Sequence, residues 1–457
     1  MTSLSARRLI PACILSAATV AALVAPGVAS ATGKLGAQCS GSNITGQGSS
    51  LQKLAQETVW DTEFNTSGAY RACNGTQGTK AKPTVTYDST GSGKGLESWG
   101  ANGHAAEFEA KNAWISTDEP PNSTQISEIE AHGATETLET IPVLQGAVAI
   151  IVNLPAGCTG SSKTNAERIV INNVTLEKIF RGNITKWSEI TDNGDKLSGK
   201  TCKPETSITP VVRLDGSGTT HIFKKYLGLI NKETFETEKA ETKTWDEVSE
   251  GTENTTWPAA AHVVKPETTG GGALVSKVAA TPSSIGYANL ADARNSGSFS
   301  SPSGGPGTTR FWVELQNNGI GTTGTVTYAE PASNGDFYTT PGNANCIGEE
   351  YANGVNPFPP PGVLEPWNEV TTKLTEKNYT LCGLSYALAF TTYSSYAGTT
   401  EKEATAVNNF LDFVLGTNPA TGDEGGQVLI GKDHDYLPLP TGAVLNDAQK
   451  GVENIKY

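Results

Sequence analysis

The chain has little of what a nucleic-acid binder, a membrane-spanning protein or a metalloprotein needs. Its 457 residues hold 33 Lys and Arg against 47 Asp and Glu, for a formal net charge of −14. Nucleic-acid affinity rests on cationic contacts to phosphates, so no nucleic-acid partner is expected. Beyond the N-terminal region no long uninterrupted apolar run occurs, so the mature chain is expected to be soluble. The five histidines are scattered, and no Cys/His group has the spacing of metal ligands, so neither a metal nor another cofactor is expected. Internal repeats and coiled-coil heptads are lacking as well. Gly91-Ser92-Gly93-Lys94-Gly95 lacks the leading Gly and the Ser/Thr after Lys that a nucleotide P-loop requires. Gly216-Ser217-Gly218 is not the Gly-x-Ser-x-Gly elbow of a hydrolase. Ser217 and His221, four apart, have no acid placed by sequence to orient the histidine. The remaining composition, 37% hydrophobic and 18% charged, suits a globular protein long enough for two or three domains.

The N-terminus carries an export pattern. Arg7 and Arg8 precede an apolar stretch from Leu9 to about Val24, and Ala29-Ser30-Ala31 offers a small-x-small cleavage site. Residues 1–31 read as a secretion signal cut after about Ala31, which takes the formal charge from −14 to −16. Cys13 lies too early and Cys39 too late for a lipoprotein anchor. Leu439-Pro440-Thr441-Gly442 lacks the spacer and hydrophobic tail of a sortase signal. Six cysteines remain after cleavage: Cys39, Cys73, Cys158, Cys202, Cys346 and Cys382. An even count in an exported chain points to disulfides. Fifteen pairings are open, of which pairing in chain order (39–73, 158–202, 346–382) is the one expected.

The segment Val212-Arg213-Leu214-Asp215-Gly216-Ser217-Gly218-Thr219-Thr220 concentrates a guanidinium, a carboxylate, hydroxyls and two glycines. Ile222, Phe223, Tyr226, Leu227 and Ile230 follow at helical spacing, so Gly216 to Thr219 falls where a helix begins. Free backbone N–H groups and the positive end of the helix dipole make such a turn a ready site for small oxyanions. Arg213 can add a forked contact, and Asp215 can hold that fork in place. The bland alternative is a Ser/Thr helix cap beside a surface ion pair.

Similar polar turns recur. Ile44-Thr45-Gly46-Gln47-Gly48-Ser49-Ser50-Leu51 precedes a helix marked by Leu51, Leu54 and Val59. Val85-Thr86-Tyr87-Asp88 is a short strand entering the Gly91-Ser92-Gly93 turn, with a helix after it. Ala113-Trp114-Ile115-Ser116-Thr117-Asp118-Glu119 runs from apolar to polar and stops on Pro120-Pro121. Gly146 to Leu154 reads as a buried strand, and Leu381 to Phe390 as another. Thr175 reads as an N-cap ahead of Leu176, Ile179 and Phe180. Val407, Phe410, Leu411, Val414 and Leu415 form one face of a late helix closed by Gly416. From about 295 to 380 the chain is rich in Gly, Ser, Pro, Thr and Asn and reads as surface loops.

Taken in order, these turns resemble the phosphate-binding proteins of bacterial phosphate ABC transporters. The resemblance continues through Ile141 to Pro155, Leu176 to Trp187, Ser284-Ile285-Gly286-Tyr287 and Tyr436-Leu437-Pro438-Leu439-Pro440, and covers most of the mature chain. It implies an α/β chain with the two-lobed periplasmic-binding-protein fold (type II), mixed sheets flanked by helices, and a ligand in the cleft between lobes. The implied division is 32–145 for the first part of one lobe, 146–384 for the other, including the loop-rich 295–380 region, and 385–457 for the return to the first. The implied function is to bind inorganic phosphate outside the cytoplasmic membrane and deliver it, as a monomer, to the permease subunits of a phosphate ABC importer. The implied ligand contacts are Ser50 and Leu51, where relatives usually have Thr and Phe, then Ser92, Asp118, Arg213, Ser217, Gly218 and Thr219, with Asp215 orienting Arg213. No catalytic residue is implied. The competing readings are a secreted phosphatase or esterase, or a surface protein built on the same fold.

Overall fold

A computed structural model describes residues 41–65, 83–109, 111–132, 138–155, 170–192, 195–196, 206–233, 243–250, 255–300, 309–317, 327–331, 346, 379–396, 399–417, 425–431 and 435–457. The proposed signal and the 39–73 and 158–202 cysteine pairs lie outside those residues, as does most of the 295–380 region.

The frame is a nine-stranded mixed sheet. In chain order its strands are β1 (Ile44–Gly48), β2 (Val85–Asp88), β3 (Asn112–Thr117), β4 (Leu138–Asn153), β5 (Thr209–Val211), β6 (Ser284–Asn289), β7 (Arg310–Trp312), β8 (Cys382–Phe390) and β9 (Tyr436–Leu437). The spatial order is β2-β1-β3-β8-β4-β6-β5, and both β7 and β9 pair with β4. β1 runs parallel to β2 and β3, and β5 runs parallel to β6. β8 is antiparallel to both β3 and β4. β4 is buried along its whole length and serves both halves of the sheet. From Leu138 to Ala147 it pairs with β8, and from Val148 to Asn153 with β6. Its apolar signal begins at Gly146, yet the strand starts at Leu138. Glu139, Thr140 and Pro142 interrupt the pattern there, and burial by neighbouring elements overrides it.

Helices cover the sheet: α1 (Ser92–Ser98), α2 (Ser123–Glu130), α3 (Asn173–Arg181), α4 (Gly218–Glu233), α5 (Gly271–Ala280), α6 (Leu290–Asn295), α7 (Glu401–Val414) and α8 (Ala443–Glu453). The expected helix after Leu51 forms with π geometry over Ala55–Trp60 and runs on to Asn65. α3 is capped by Asn172, whose side chain accepts from the Thr175 N–H at 2.7 Å, and not by Thr175 itself. Asn is as good a cap as Thr, and starting earlier buries Asn173 and Thr175. α7 starts at a capping box between Thr400 and Glu403. Two aromatic clusters anchor the two ends of the sheet. Trp114, Phe64 and Phe410 pack at one end, with centroids 5.0–5.4 Å apart. At the other, Phe223 packs between Phe180 and Tyr287, at 4.8 and 4.6 Å. Cys346 and Cys382 are joined by a disulfide at the start of β8, and the Cys346 N–H donates to Gln145 of β4 at 3.2 Å.

Candidate functional site

Four turns meet where parallel strands end: Ser49–Leu51 after β1, Gly91–Gly93 between β2 and α1, Asp118 after β3, and Arg213–Thr220 between β5 and α4. The carboxyl ends of parallel strands, faced by helix N-termini, are where such sheets gather anion-binding groups. The local sequence makes the meeting possible. Gly91 has φ of 103°, a conformation that L side chains rarely adopt. Gly93 donates its N–H to the Gly216 carbonyl at 3.4 Å, so the two turns touch backbone to backbone. Ser217 caps α4 by accepting from the Thr220 N–H at 3.3 Å. Gly218 packs directly on Asp118 and Ser92, leaving no room for a Cβ.

The structure therefore brings every sequence-predicted residue into one region, and Ser50, Leu51, Ser92, Asp118, Arg213, Ser217, Gly218 and Thr219 are all buried. Asp215 grips Arg213 through both carboxylate oxygens, the Nε contact being 2.8 Å. The free guanidinium edge reaches Ser50, with Nη1 3.2 Å from Oγ, and the Gly271 N–H at the start of α5 donates to the same oxygen at 3.3 Å. The backbone N–H of Arg213 donates to the Tyr287 hydroxyl at 3.2 Å. The Leu51 N–H is engaged locally by Ser49 Oγ at 3.1 Å, and the Leu51 side chain is core, lying against Gly146.

Asp118 is the electrostatic centre. Burial pushes its carboxyl pKa upward, and hydroxyls from Ser385, Ser49 and Ser92, with the Arg213 charge, pull it back. Both Ser49 Oγ and Ser385 Oγ donate to Oδ1 at 2.5 Å, and Ser92 Oγ lies 3.4 Å from Oδ2. Sequence reasoning missed Ser49 and Ser385. Ser49 sits in the right turn beside the residue singled out. Ser385 lies 267 positions from Asp118 on an apolar strand, and no local signal marks it. Asp292 of α6 was also missed: burial pushes it up to about 7, against the pull of Arg213 and Lys53.

Open space flanks the site on two sides. A cavity of about 870 Å³ begins at Ser50 and is lined by Lys53, Gly271, Lys277 and Asp292 among others. A second, of about 410 Å³, begins at Ser217 and includes Gly93, Glu119 and Gly216. His221, for which the sequence showed no orienting acid, has Nδ1 3.8 Å from Glu119 Oε2, beyond hydrogen-bond range. Burial drives His221 down to about 3, so it is neutral. Among the described residues, Glu97, His104 and Glu107 bring ligand-type atoms together. They form a partly exposed charge network with Lys94, His104 Nδ1 lying 2.9 Å from Glu107 Oε1.

Residues 36–341 match the family described as the PBP superfamily domain. The chain belongs to that family. Among curated PBP-type relatives, it is 28% identical over 144 residues to the phosphate-binding protein PstS3 of Mycobacterium bovis, which is 32% of this chain and 34% of that one. It is 29% identical over 148 residues to the phosphate-binding protein PstS of Pasteurella multocida, 32% of this chain and 39% of that one. The chain thus spans about a third of the length of the curated relatives it matches. Among solved structures it is similar to a high-affinity periplasmic phosphate-binding protein (PfluDING) bound with phosphate. The TM-score is 0.56 at 19% identity, covering 89% of this chain and 93% of that one. A phosphate-binding protein from Stenotrophomonas maltophilia gives a TM-score of 0.57 at 17% identity, covering 90% and 93%. These neighbours share the fold, the two-lobed α/β architecture of periplasmic binding proteins.

Proposed function

We propose that this chain binds inorganic phosphate outside the cytoplasmic membrane and delivers it, as a monomer, to the permease of an ABC-type phosphate importer. The observation that carries the reading is the buried convergence of Asp118, the Asp215-held Arg213, the hydroxyls of Ser50, Ser92, Ser217 and Thr219, and the N-terminal turn of α4. Donors on the Arg213 side suit an oxyanion, and the Asp118 carboxylate suits an oxyanion that still bears a proton. The matches to phosphate-binding proteins support the ligand, and the periplasmic location of one structural neighbour supports export after a signal over residues 1–31. In this reading 32–145 and 385–457 form one lobe, 146–384 the other, and the chain crosses between them in β4 and β8.

Calorimetric titration of the mature protein with phosphate and with sulfate tests the proposal. Phosphate binds and sulfate does not, because the Oδ2 of an ionised Asp118 would face a fully deprotonated anion with no proton between two buried negative oxygens. That costs on the order of several kcal/mol, enough for roughly thousandfold rejection. Asp118→Asn, whose amide can donate, narrows the preference markedly. Equal sulfate rejection by both proteins would remove Asp118 as the selectivity element, and no heat from phosphate would end the reading.

A hydrolase reading draws on the Glu119, His221 and Ser217 neighbourhood. It predicts hydrolysis of a chromogenic phosphate ester that Ser217→Ala abolishes. A histidine depressed to about 3 is a poor base, and Ser217 Oγ serves as a helix cap, so the binding reading is preferred.

A further inference from the structure

Asp118 is wired to its surroundings through hydroxyls whose direction can be worked out. Ser49 Oγ accepts two backbone N–H groups, from Leu51 at 3.1 Å and from Gln52 at 3.2 Å. Backbone nitrogens only donate, so both lone pairs of that hydroxyl are engaged and its single proton points to Asp118 Oδ1, 2.5 Å away. Ser385 Oγ accepts from Gln52 Nε2 at 2.8 Å. The Gln52 amide is fixed in that orientation, because Nε2 also lies 2.9 Å from the Tyr386 carbonyl, which can only accept. Ser385 therefore sends its proton to an acceptor: Asp118 Oδ1 at 2.5 Å, with the Thr117 carbonyl much farther at 3.4 Å. Oδ1 is thus filled by two one-way donors. Among the described residues the opposite oxygen, Oδ2, has only Ser92 Oγ at 3.4 Å, and that hydroxyl accepts the Asp118 N–H at 3.2 Å.

The backbone explains how Ser385 comes to be there. The β4–β8 register slips between Ser385 and Tyr386, whose partners are Leu144 and Pro142, so Val143 is left over. A proline cannot donate to the ladder, and a bulge is where a sheet accommodates one and re-aims the neighbouring side chain.

We infer that Ser49 and Ser385 are specificity-determining positioning residues: by filling Oδ1 they confine any proton on Asp118 to Oδ2 and set how readily that oxygen is protonated. An unprotonated Oδ2 accepts a hydrogen bond from a protonated phosphate oxygen and repels sulfate. A protonated Oδ2 donates to either anion. Taking away the two hydroxyl donors makes protonation easier, so sulfate is admitted at a higher pH. The inference rests on the anion-site reading above. The charged and titratable groups facing Asp118 are Arg213, which favours its ionised form, the acid Asp292, and the phenols Tyr87, Tyr386 and Tyr436.

The test measures phosphate and sulfate affinities by calorimetry from pH 5 to pH 8 in wild type, Ser49→Ala, Ser385→Ala and Ser49→Thr. In wild type the phosphate-to-sulfate ratio declines only toward acid. In each alanine variant the decline moves to higher pH, and the ratio at neutral pH falls by about tenfold or more, as loss of a hydrogen bond to a charged group implies. Ser49→Thr keeps the hydroxyl and the wild-type profile. Ser385→Ala leaves the Ser49 cap intact, so it reports even if Ser49→Ala fails to fold. A folded Ser385→Ala protein with the wild-type pH profile of selectivity overturns the inference. Failure of wild type to bind phosphate at all overturns instead the reading on which it rests.

Discussion

Gly218 offers a perturbation of the packing that holds the site together. It opens α4, and a Cβ placed on it would stand 2.5 Å from Asp118 Cβ, 2.7 Å from Ser92 Oγ and 2.9 Å from Asp118 Cα. Its φ is not among the positive ones, so the backbone itself accepts alanine. Carbon atoms settle at about 3.5–4.0 Å, so Gly218→Ala must drive the first turn of α4 and the Asp118 turn apart by about 1 Å. Neither side yields cheaply, since the obstructing atoms are backbone and the root of a side chain pinned by Ser49 and Ser385. A shift of that size carries the donors of the α4 turn and Ser92 Oγ out of hydrogen-bond range of an anion that both would hold in the proposed site. One charge-assisted bond lost is about 1.5–3 kcal/mol, a weakening of phosphate binding of at least about tenfold. Stability falls as well, because the strain of that clash outweighs the preference of a helix for alanine over glycine, which is at most about 1 kcal/mol. The expected outcome is an unliganded melting temperature below wild type, with the phosphate-induced rise reduced or lost. A folded Gly218→Ala protein with wild-type affinity in calorimetry would refute the close apposition of α4 and Asp118 as a requirement for binding.

Other outcomes follow from the same geometry. Arg213→Ala, which deletes the guanidinium held by Asp215, weakens phosphate binding by at least about tenfold, and unchanged affinity in a folded variant removes Arg213 from the site. Saturating phosphate raises the melting temperature, since it binds only the folded state, and compacts the protein in solution scattering; an insensitive scattering curve counts against closure of a cleft. His221 is held near 3 by burial while an unfolded histidine titrates near 6.5, so the unfolded state binds more protons between those values. Stability therefore falls as pH drops from about 6.5 toward 3, and His221→Gln, compared with wild type in urea melts across that window, flattens the dependence.

The parts of the molecule written in short stretches were legible, and those made by distant pairing were not. Arg213, Asp215, Ser217 and Gly218 lie within six residues of chain, so the turn and its helix declare themselves together. The Ser92 turn and the Asp118 turn carried similar local marks. Ser385 could not be read this way, because its contact with Asp118 depends on a bulge opposite Pro142 in another strand. The start of β4 was hidden for a related reason. Glu139 is buried there, its carboxyl pushed up to about 7, and only tertiary packing makes a strand interior out of such a residue. The α3 cap was misplaced by three residues because Asn172 and Thr175 are both competent caps, and sequence alone does not rank them.

The way β4 is shared bears on how the molecule comes apart. One unbroken, buried strand carries the ladder of β8 along its first part and of β6 along its second, with the change of partner between Ala147 and Val148. The two ladders use different residues of that one strand, so β4 stays anchored by either when the other opens. The amide hydrogens of β4 should therefore be among the slowest in the protein to exchange with solvent. The strands that complete the first end, β8 and β9, lie downstream of all those that build the second. A truncated gene ending before β8 would leave β3 and the first part of β4 without their shared neighbour, so the first end of the sheet cannot form without the chain that follows the second.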